Sequence, residues 1–93
     1  MAGRGIWRTG GRMTPVDAAL MHAVMIAVEH GPCDLDVLVA QGRARVPWVG
    51  VDRVARAVAA LEVAGWVLCA GDVVTATDAG RLALARSAAE AAV

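Results

Sequence analysis

The sequence has no phenylalanine, tyrosine or lysine, and only two cysteines among 93 residues. Without Phe or Tyr, the core must be built from Val, Leu, Ala, Ile, Met and Trp side chains, most of which bury little apolar area each. The length suits one domain, but a core of such small side chains leaves a lone monomer only marginally stable. The composition therefore favours a protein that associates with itself.

Cysteine and histidine are too sparse to indicate a chemical site. Cys33 and Cys69 lack a CxxC motif and have no metal-like spacing to His22 and His30, so we expect two half-buried thiols rather than zinc ligands or a disulfide. No Gly-rich phosphate loop, His–Cys pair or carboxylate–histidine set occurs at usable spacing. We therefore expect neither an enzyme nor a bound cofactor.

Long apolar runs are also missing. In the first apolar segment, the longest stretch without a charged residue runs from Ala18 to Val28, whereas a bilayer span needs roughly 20 residues. An Arg-bearing start precedes this segment, but the segment contains His22 and is followed by EHGP rather than a small-residue cleavage site. We expect a cytoplasmic protein without a membrane partner.

The charges are unevenly distributed, although the formal net charge is zero. Arg4, Arg8 and Arg12 occur near the start without any acid, while the rest of the chain has six arginines and nine carboxylates, a net charge of −3.

We expect residues 1–13 to form a disordered Gly/Arg-rich arm and residues 14–92 to form one domain. Met13 directly precedes a helix start, so either it is the natural start or the arm is a real extension. The folded part has no general attraction for nucleic acid, so any affinity must come from a local arginine cluster or from the arm.

Hydrophobic periodicity predicts the order helix, helix, helix, hairpin, helix. Thr14, Asp34 and Thr77 are the expected N-caps, and Pro47 is expected to force Val46 out of the helical region. The predicted helices cover about 14–30, 34–41, 50–64 (or from Pro47) and 77–91, with strands 66–70 and 73–77 around Gly71-Asp72.

Some apolar residues lie off the predicted core faces. The stripe expected to face the core of the first helix comprises Val16, Leu20, Ala23, Val24 and Ala27, and that of the third comprises Val54, Ala57, Val58 and Leu61. Met25 and Ile26 fall outside the first stripe, and Leu84 points away from the other apolar residues of the last helix. We expect these three residues to form a homodimer interface. Trp48, between two helices, is expected to plug the core, and Trp66 likewise.

Two segments, AALEVAGWV and VVTATDAGRLAL, resemble winged helix-turn-helix regulators of the MarR and PadR type. The resemblance covers about Pro15 to Arg86. It implies a mainly α fold with a small β-hairpin, in which the third helix is the recognition helix, the hairpin is the wing, and the terminal helices form a dimer. The matching residues are Leu61, Glu62, Gly65, Trp66, Val67, Thr77, Ala79, Gly80, Arg81 and Leu84.

The same resemblance implies a transcriptional regulator that binds double-stranded DNA. By position, Asp52, Arg53 and Arg56 would face the major groove, and Arg43 and Arg45 would contact phosphates.

Other sequence features favour a second hypothesis, a winged helix adaptor that binds a protein partner and not DNA. The wing tip, Gly71-Asp72, has no basic residue, and Ala59 and Val63 make the outer helix face partly apolar. Under this hypothesis, Arg53 and Arg56 lie on a solvated helix face, with Arg56 pairing with Asp52.

Overall fold

The computed structural model describes residues 14–92, so the predicted arm, residues 1–13, lies outside the described residues. The described chain is mainly helical, with four helices and a small antiparallel sheet, which confirms the predicted α+β class. One element was not expected, a two-residue strand between the first two helices. The elements are α1 (Pro15–Glu29), β1 (Cys33–Asp34), α2 (Leu35–Arg45), α3 (Val51–Val63), β2 (Val67–Ala70), β3 (Val73–Ala76) and α4 (Asp78–Ala92).

The sheet has the order β1-β3-β2, with both pairs antiparallel. The sequence does not predict β1 because two residues show no alternation, and because Asp34 also caps α2. Cys33 and Cys69 both pair with Val74 of the central strand, from opposite sides. Two strand spacings separate their Cα atoms by about 9–10 Å, which is too far for a disulfide. Both thiols are half-buried, as expected.

α1 is the central helix of the fold. The Thr14 hydroxyl accepts a hydrogen bond from the Asp17 backbone N–H at 3.1 Å, and the Asp17 carboxylate accepts one from the Thr14 backbone N–H at 3.3 Å. This capping box confirms the predicted start. The helix then packs against α2, α3, α4 and β3, so it is buried on more than one face. The prediction that Met25 lies outside the core is therefore wrong: Met25 is only 3% exposed.

α2 continues past the predicted end at Gln41 because Gly42 has a packing role. A Cβ atom at Gly42 would lie 3.2 Å from side-chain atoms of both Leu20 and Val54. The missing side chain thus allows α2 to approach α1 and α3 closely, and the glycine does not end the helix. The helix ends at Arg45, before Val46 and Pro47, where the backbone leaves the helical region as predicted.

α3 turns sharply into the sheet. All four residues of its predicted core stripe are buried. Gly65 has a φ of 82°, which favours glycine. Its N–H donates to the Glu62 carbonyl at 2.9 Å, and the Trp66 N–H donates to the Leu61 carbonyl at 3.0 Å. This pair of bonds is a Schellman ending, and it leads directly into the hairpin.

α4 is fixed to this turn by Thr77 and Gly80. The Thr77 hydroxyl donates to the Gly65 carbonyl at 2.7 Å and accepts from the Gly80 N–H at 3.0 Å, confirming the predicted cap. A Cβ atom at Gly80 would overlap the Trp66 carbonyl group, so this side of α4 faces the domain. Leu84, one turn later, lies on the same side and packs against the core. The prediction that Leu84 points away from the core is wrong, and within α4 Leu82 is the exposed leucine instead.

Candidate nucleic-acid interface

The five residues between α2 and α3, Val46 to Gly50, form a tight turn. Val46 and Val49 are both buried and anchor the turn in the core. Arg43, predicted to contact a phosphate, donates a hydrogen bond from Nε to the Val49 carbonyl at 2.9 Å. The arginine therefore holds the turn that joins the two helices, while its side chain stays at the surface.

Arg53 links α3 to the start of α1, an arrangement that the sequence did not indicate. Its Nε lies 3.4 Å from Asp17 Oδ1, and its Nη2 donates to the Thr14 hydroxyl at 3.4 Å. The guanidinium thereby contacts the α1 capping box. Arg53 was expected to face the DNA groove, but part of its hydrogen-bonding capacity is used inside the domain.

The contacts with Arg53 and Thr14 change the acidity of Asp17. Partial burial by itself raises the pKa of the Asp17 carboxyl. The hydrogen bonds from the Thr14 hydroxyl and backbone N–H, together with those from the Arg53 guanidinium and its charge, outweigh that burial. The pKa of Asp17 is therefore lowered from its ordinary value, and the carboxylate stays charged at neutral pH.

Trp48 lies at the surface beside α3. It is 66% exposed, so the prediction that it plugs the core is wrong. The Arg53 guanidinium carbon lies 5.7 Å from the centre of its ring, within range of a cation–π contact. Trp48 lies outside the core because Val46 and Val49 fill the inner side of the short turn, which leaves the bulky indole at the surface. Trp66, by contrast, is half-buried and packs against the core, so the prediction that it plugs the core is confirmed only in part.

Arg45 and Arg56 differ from the other two predicted arginines. Both side chains are exposed, and neither has a hydrogen bond or an ion pair within residues 14–92. The alternative that Arg56 pairs with Asp52 is wrong, since the salt bridges of the described chain do not include that pair. Arg45 ends α2, and Arg56 lies in the second turn of α3. These two guanidinium groups are therefore available to a partner.

The outer face of α3 combines one positive charge with apolar and acidic groups. Its exposed residues follow helical spacing, and Val63 near the end is 79% exposed. In the hairpin that follows, Leu68 is 64% exposed, and the tip carries the Asp72 carboxylate. The exposed residues of this helix face are Asp52, Arg56, Ala59 and Val63.

The three residues predicted to form a dimer interface have different surroundings. Met25 is buried within the single chain, which removes the reason for assigning it to an interface. Ile26 is half-buried and, with Leu84, lines a shallow groove between α1 and α4. A neighbouring cavity of about 260 Å³, lined by Met25, Leu84 and Trp66 among others, extends that groove. Beyond it, residues 85–90 of α4 are exposed.

The described residues hold no group of three or more His, Cys, Asp or Glu side chains placed to bind a metal ion.

The Cys69 thiol has a raised pKa. The largest cause is burial, followed by the negative charge of Glu62 and a hydrogen bond with it. The thiol is therefore protonated at neutral pH, where it is a poor nucleophile.

Comparison with protein-family models, curated proteins and solved structures gives no match for this chain. Among the helices of residues 14–92, none has the length and apolar character needed to cross a membrane.

Proposed function

We propose that this chain is a winged helix-turn-helix protein that acts in the cytoplasm as a DNA-binding transcriptional regulator. The element order supports this proposal: α2, a short turn and α3 are followed at once by the β2–β3 hairpin, which joins β1 in one sheet. In this interpretation, α3 is the recognition helix and the hairpin is the wing. The resemblance of the sequence to the MarR and PadR type points the same way.

The observation that carries the proposal is that one face of α3 is exposed. Its inner face is buried on α1 and the sheet, whereas its outer face is uncovered within the described chain. Arg56 projects from the second turn, and Arg45 from the end of the preceding helix, both without a partner there. An arginine can bind guanine O6 and N7 with both arms of its guanidinium group, and another can contact a phosphate.

The four predicted arginines then divide into two pairs. We assign Arg56 to base reading and Arg45 to phosphate contact, because their guanidinium groups are unengaged. Arg43 and Arg53 position the recognition helix, since one holds the turn before α3 and the other ties α3 to α1. A regulator of this kind acts as a homodimer whose two recognition helices lie about 34–36 Å apart.

A second candidate function, a protein-binding adaptor, is favoured by one specific observation. Val63 and Leu68 are both strongly exposed, close together in the chain, and accompanied by the acidic residues Glu62 and Asp72. DNA phosphates would repel those carboxylates, whereas an apolar protein surface could cover the two aliphatic side chains.

Binding to genomic DNA fragments across a salt series separates the two candidates. A regulator binds duplex DNA at low salt and selects a subset of fragments, and the logarithm of its binding constant falls linearly with log[salt]. The Arg86→Ala variant is the control for the loss of one arginine charge away from α3. Arg86 is exposed on α4 and, within residues 14–92, has no partner either. Absence of duplex binding at low salt would overturn the regulator proposal and leave the adaptor.

A further inference from the structure

Two apolar side chains are exposed at the N-terminal end of the proposed recognition helix. Trp48, in the turn before α3, is 66% exposed, and Val51, the first residue of the helix, is 45% exposed. Between them lies the N-cap Gly50, where a Cβ atom would meet no atom of the described chain within 4 Å. In helix-turn-helix proteins, the N-terminal residues of the recognition helix contact base edges. The end of α3 that would reach the bases is therefore open and partly apolar.

The Trp48 indole is supported by contacts with the rest of the domain. The Arg53 guanidinium carbon lies over its ring, 5.7 Å from the centre, and Arg53 itself pairs with Asp17 at 3.4 Å. The next residue, Val49, is buried, and its carbonyl accepts a hydrogen bond from Arg43 Nε at 2.9 Å. A side chain that is ordered before binding loses less conformational entropy when it binds. The exposed indole is therefore suited to a specific contact.

This end of α3 is poorly suited to a contact with phosphate. The apolar surfaces of Trp48 and Val51 cannot replace the hydration of a charged phosphate group. The exposed carboxylate of the neighbouring residue, Asp52, would be repelled by its negative charge. Base edges in the major groove differ, because cytosine N4 and adenine N6 carry hydrogens that a carboxylate can accept. The side chains at the start of α3 therefore favour contact with bases over contact with the DNA backbone.

Thymine is the base that offers an apolar group in the major groove. Guanine, adenine and cytosine present hydrogen-bond donors or acceptors there, whereas thymine adds a C5-methyl group. Trp48 or Val51 placed over a donor or acceptor would displace water without replacing its hydrogen bonds, which costs free energy. Placed on the methyl group, the same side chains remove apolar area from water on both partners. Thymine is therefore the base that matches these two residues.

We propose that Trp48 and Val51 pack on thymine C5-methyl groups in the major groove, so that the recognised duplex contains thymine opposite the start of α3. This inference rests on the proposed function and deepens it. Arg56, in the second turn of α3, is assigned to base reading, and the apolar pair adds the reading of thymine at the first turn. The two contacts together make the recognised sequence depend on both turns of the helix.

The test removes the methyl groups while keeping the base pairs. A duplex is selected from a random pool by the full-length wild type, and its thymines are replaced one at a time by deoxyuridine, which pairs identically but lacks the methyl group. Wild-type affinity should fall about fourfold for each contacted methyl group, the equivalent of one buried CH₂ group. Thymines outside the contact should show no change. If no replacement lowers the affinity, the inference is overturned and the proposed function stands.

Two variants assign the methyl contact to these residues. Trp48→Ala and Val51→Ser each remove one exposed apolar side chain, and each contacted thymine should lose its methyl effect in one of the two. Leu82→Ala is the matched control, because Leu82 is 53% exposed on α4, and it should keep the wild-type ratio of affinities. If both test variants weaken thymine and deoxyuridine forms alike, the two residues only support the turn, and the inference is wrong. If the wild type binds no duplex at all, the proposed function fails and the inference fails with it.

Discussion

The Arg53 guanidinium lies 3.4 Å from the Asp17 carboxylate and connects the first turn of α3 to the capping box that begins α1. The two residues are 36 positions apart in the sequence. Because both side chains are about one third exposed, solvent screening keeps the ion pair itself weak, about 0–1 kcal/mol. It joins the first turn of α3 to the start of the central helix, on which α3 also packs through its buried face.

The lowered pKa of Asp17 predicts that Asp17→Asn changes the pH dependence of stability. Since the folded pKa is below the unfolded value of about 3.9, the carboxylate stabilises the fold above that value. This contribution is lost as pH falls through the folded pKa. We expect the wild type to be more stable at about pH 7, with the difference shrinking below about pH 4. Thermal unfolding of both proteins between about pH 2.5 and 7 measures this, and a constant difference would contradict it.

Gly80→Ala is predicted to destabilise the domain severely. Its new methyl group would overlap the Trp66 carbonyl and lie 3.0 Å from Met25 Cε, and backbone cannot move aside as a side chain can. We expect a loss of about 3 kcal/mol or more in the free energy of unfolding. Gly50→Ala is the control, because no atom lies within 4 Å of its Cβ position. Urea unfolding of the two variants checks the contrast, and similar midpoints would refute the close approach of α4 to the Trp66 carbonyl.

The elements of the fold that are predictable from the sequence are those that a local pattern determines. The apolar stripe of α3, the caps at Thr14, Asp34 and Thr77, and the Gly71-Asp72 turn were all predicted from residues within a few positions of one another. Each depends on short-range hydrogen bonds or on helical periodicity, which the sequence records directly.

The wrong predictions concern residues whose positions depend on contacts between segments that are distant in the sequence. α1 is covered on several sides, so a single-stripe helical wheel placed Met25 outside the core. The short distance from Gly80 to Trp66 determines which side of α4 faces inward, and it thereby buries Leu84. The roles of Arg43 and Arg53 depend on partners that no periodicity identifies. Trp48 is outside because smaller valines fill the turn.

The groove between α1 and α4 predicts a homodimer, in line with the resemblance to regulators that associate through terminal helices. Ile26 lines the groove, and residues 85–90 beyond it are exposed. We expect Ile26→Glu to yield soluble monomers at micromolar concentration, because a charge there would be buried on association. Leu82→Glu, on the exposed side of α4, is the matched control and should remain dimeric. Light scattering measures the mass, and a monomeric wild type would rule out this interface.

Arg56 and Arg45 are expected to contact DNA in two different ways. Arg56→Ala should cost about 1–3 kcal/mol at a selected site and relax preference at one base pair, because it removes a base contact. Arg45→Ala should weaken all sequences alike and lower the salt slope by about one, because it removes a phosphate contact. Binding to a selected and a scrambled duplex at several salt concentrations distinguishes these effects. If both variants bind as the wild type does, the domain does not contact DNA through these two groups, and Val63 and Leu68 become the surface to test with protein partners.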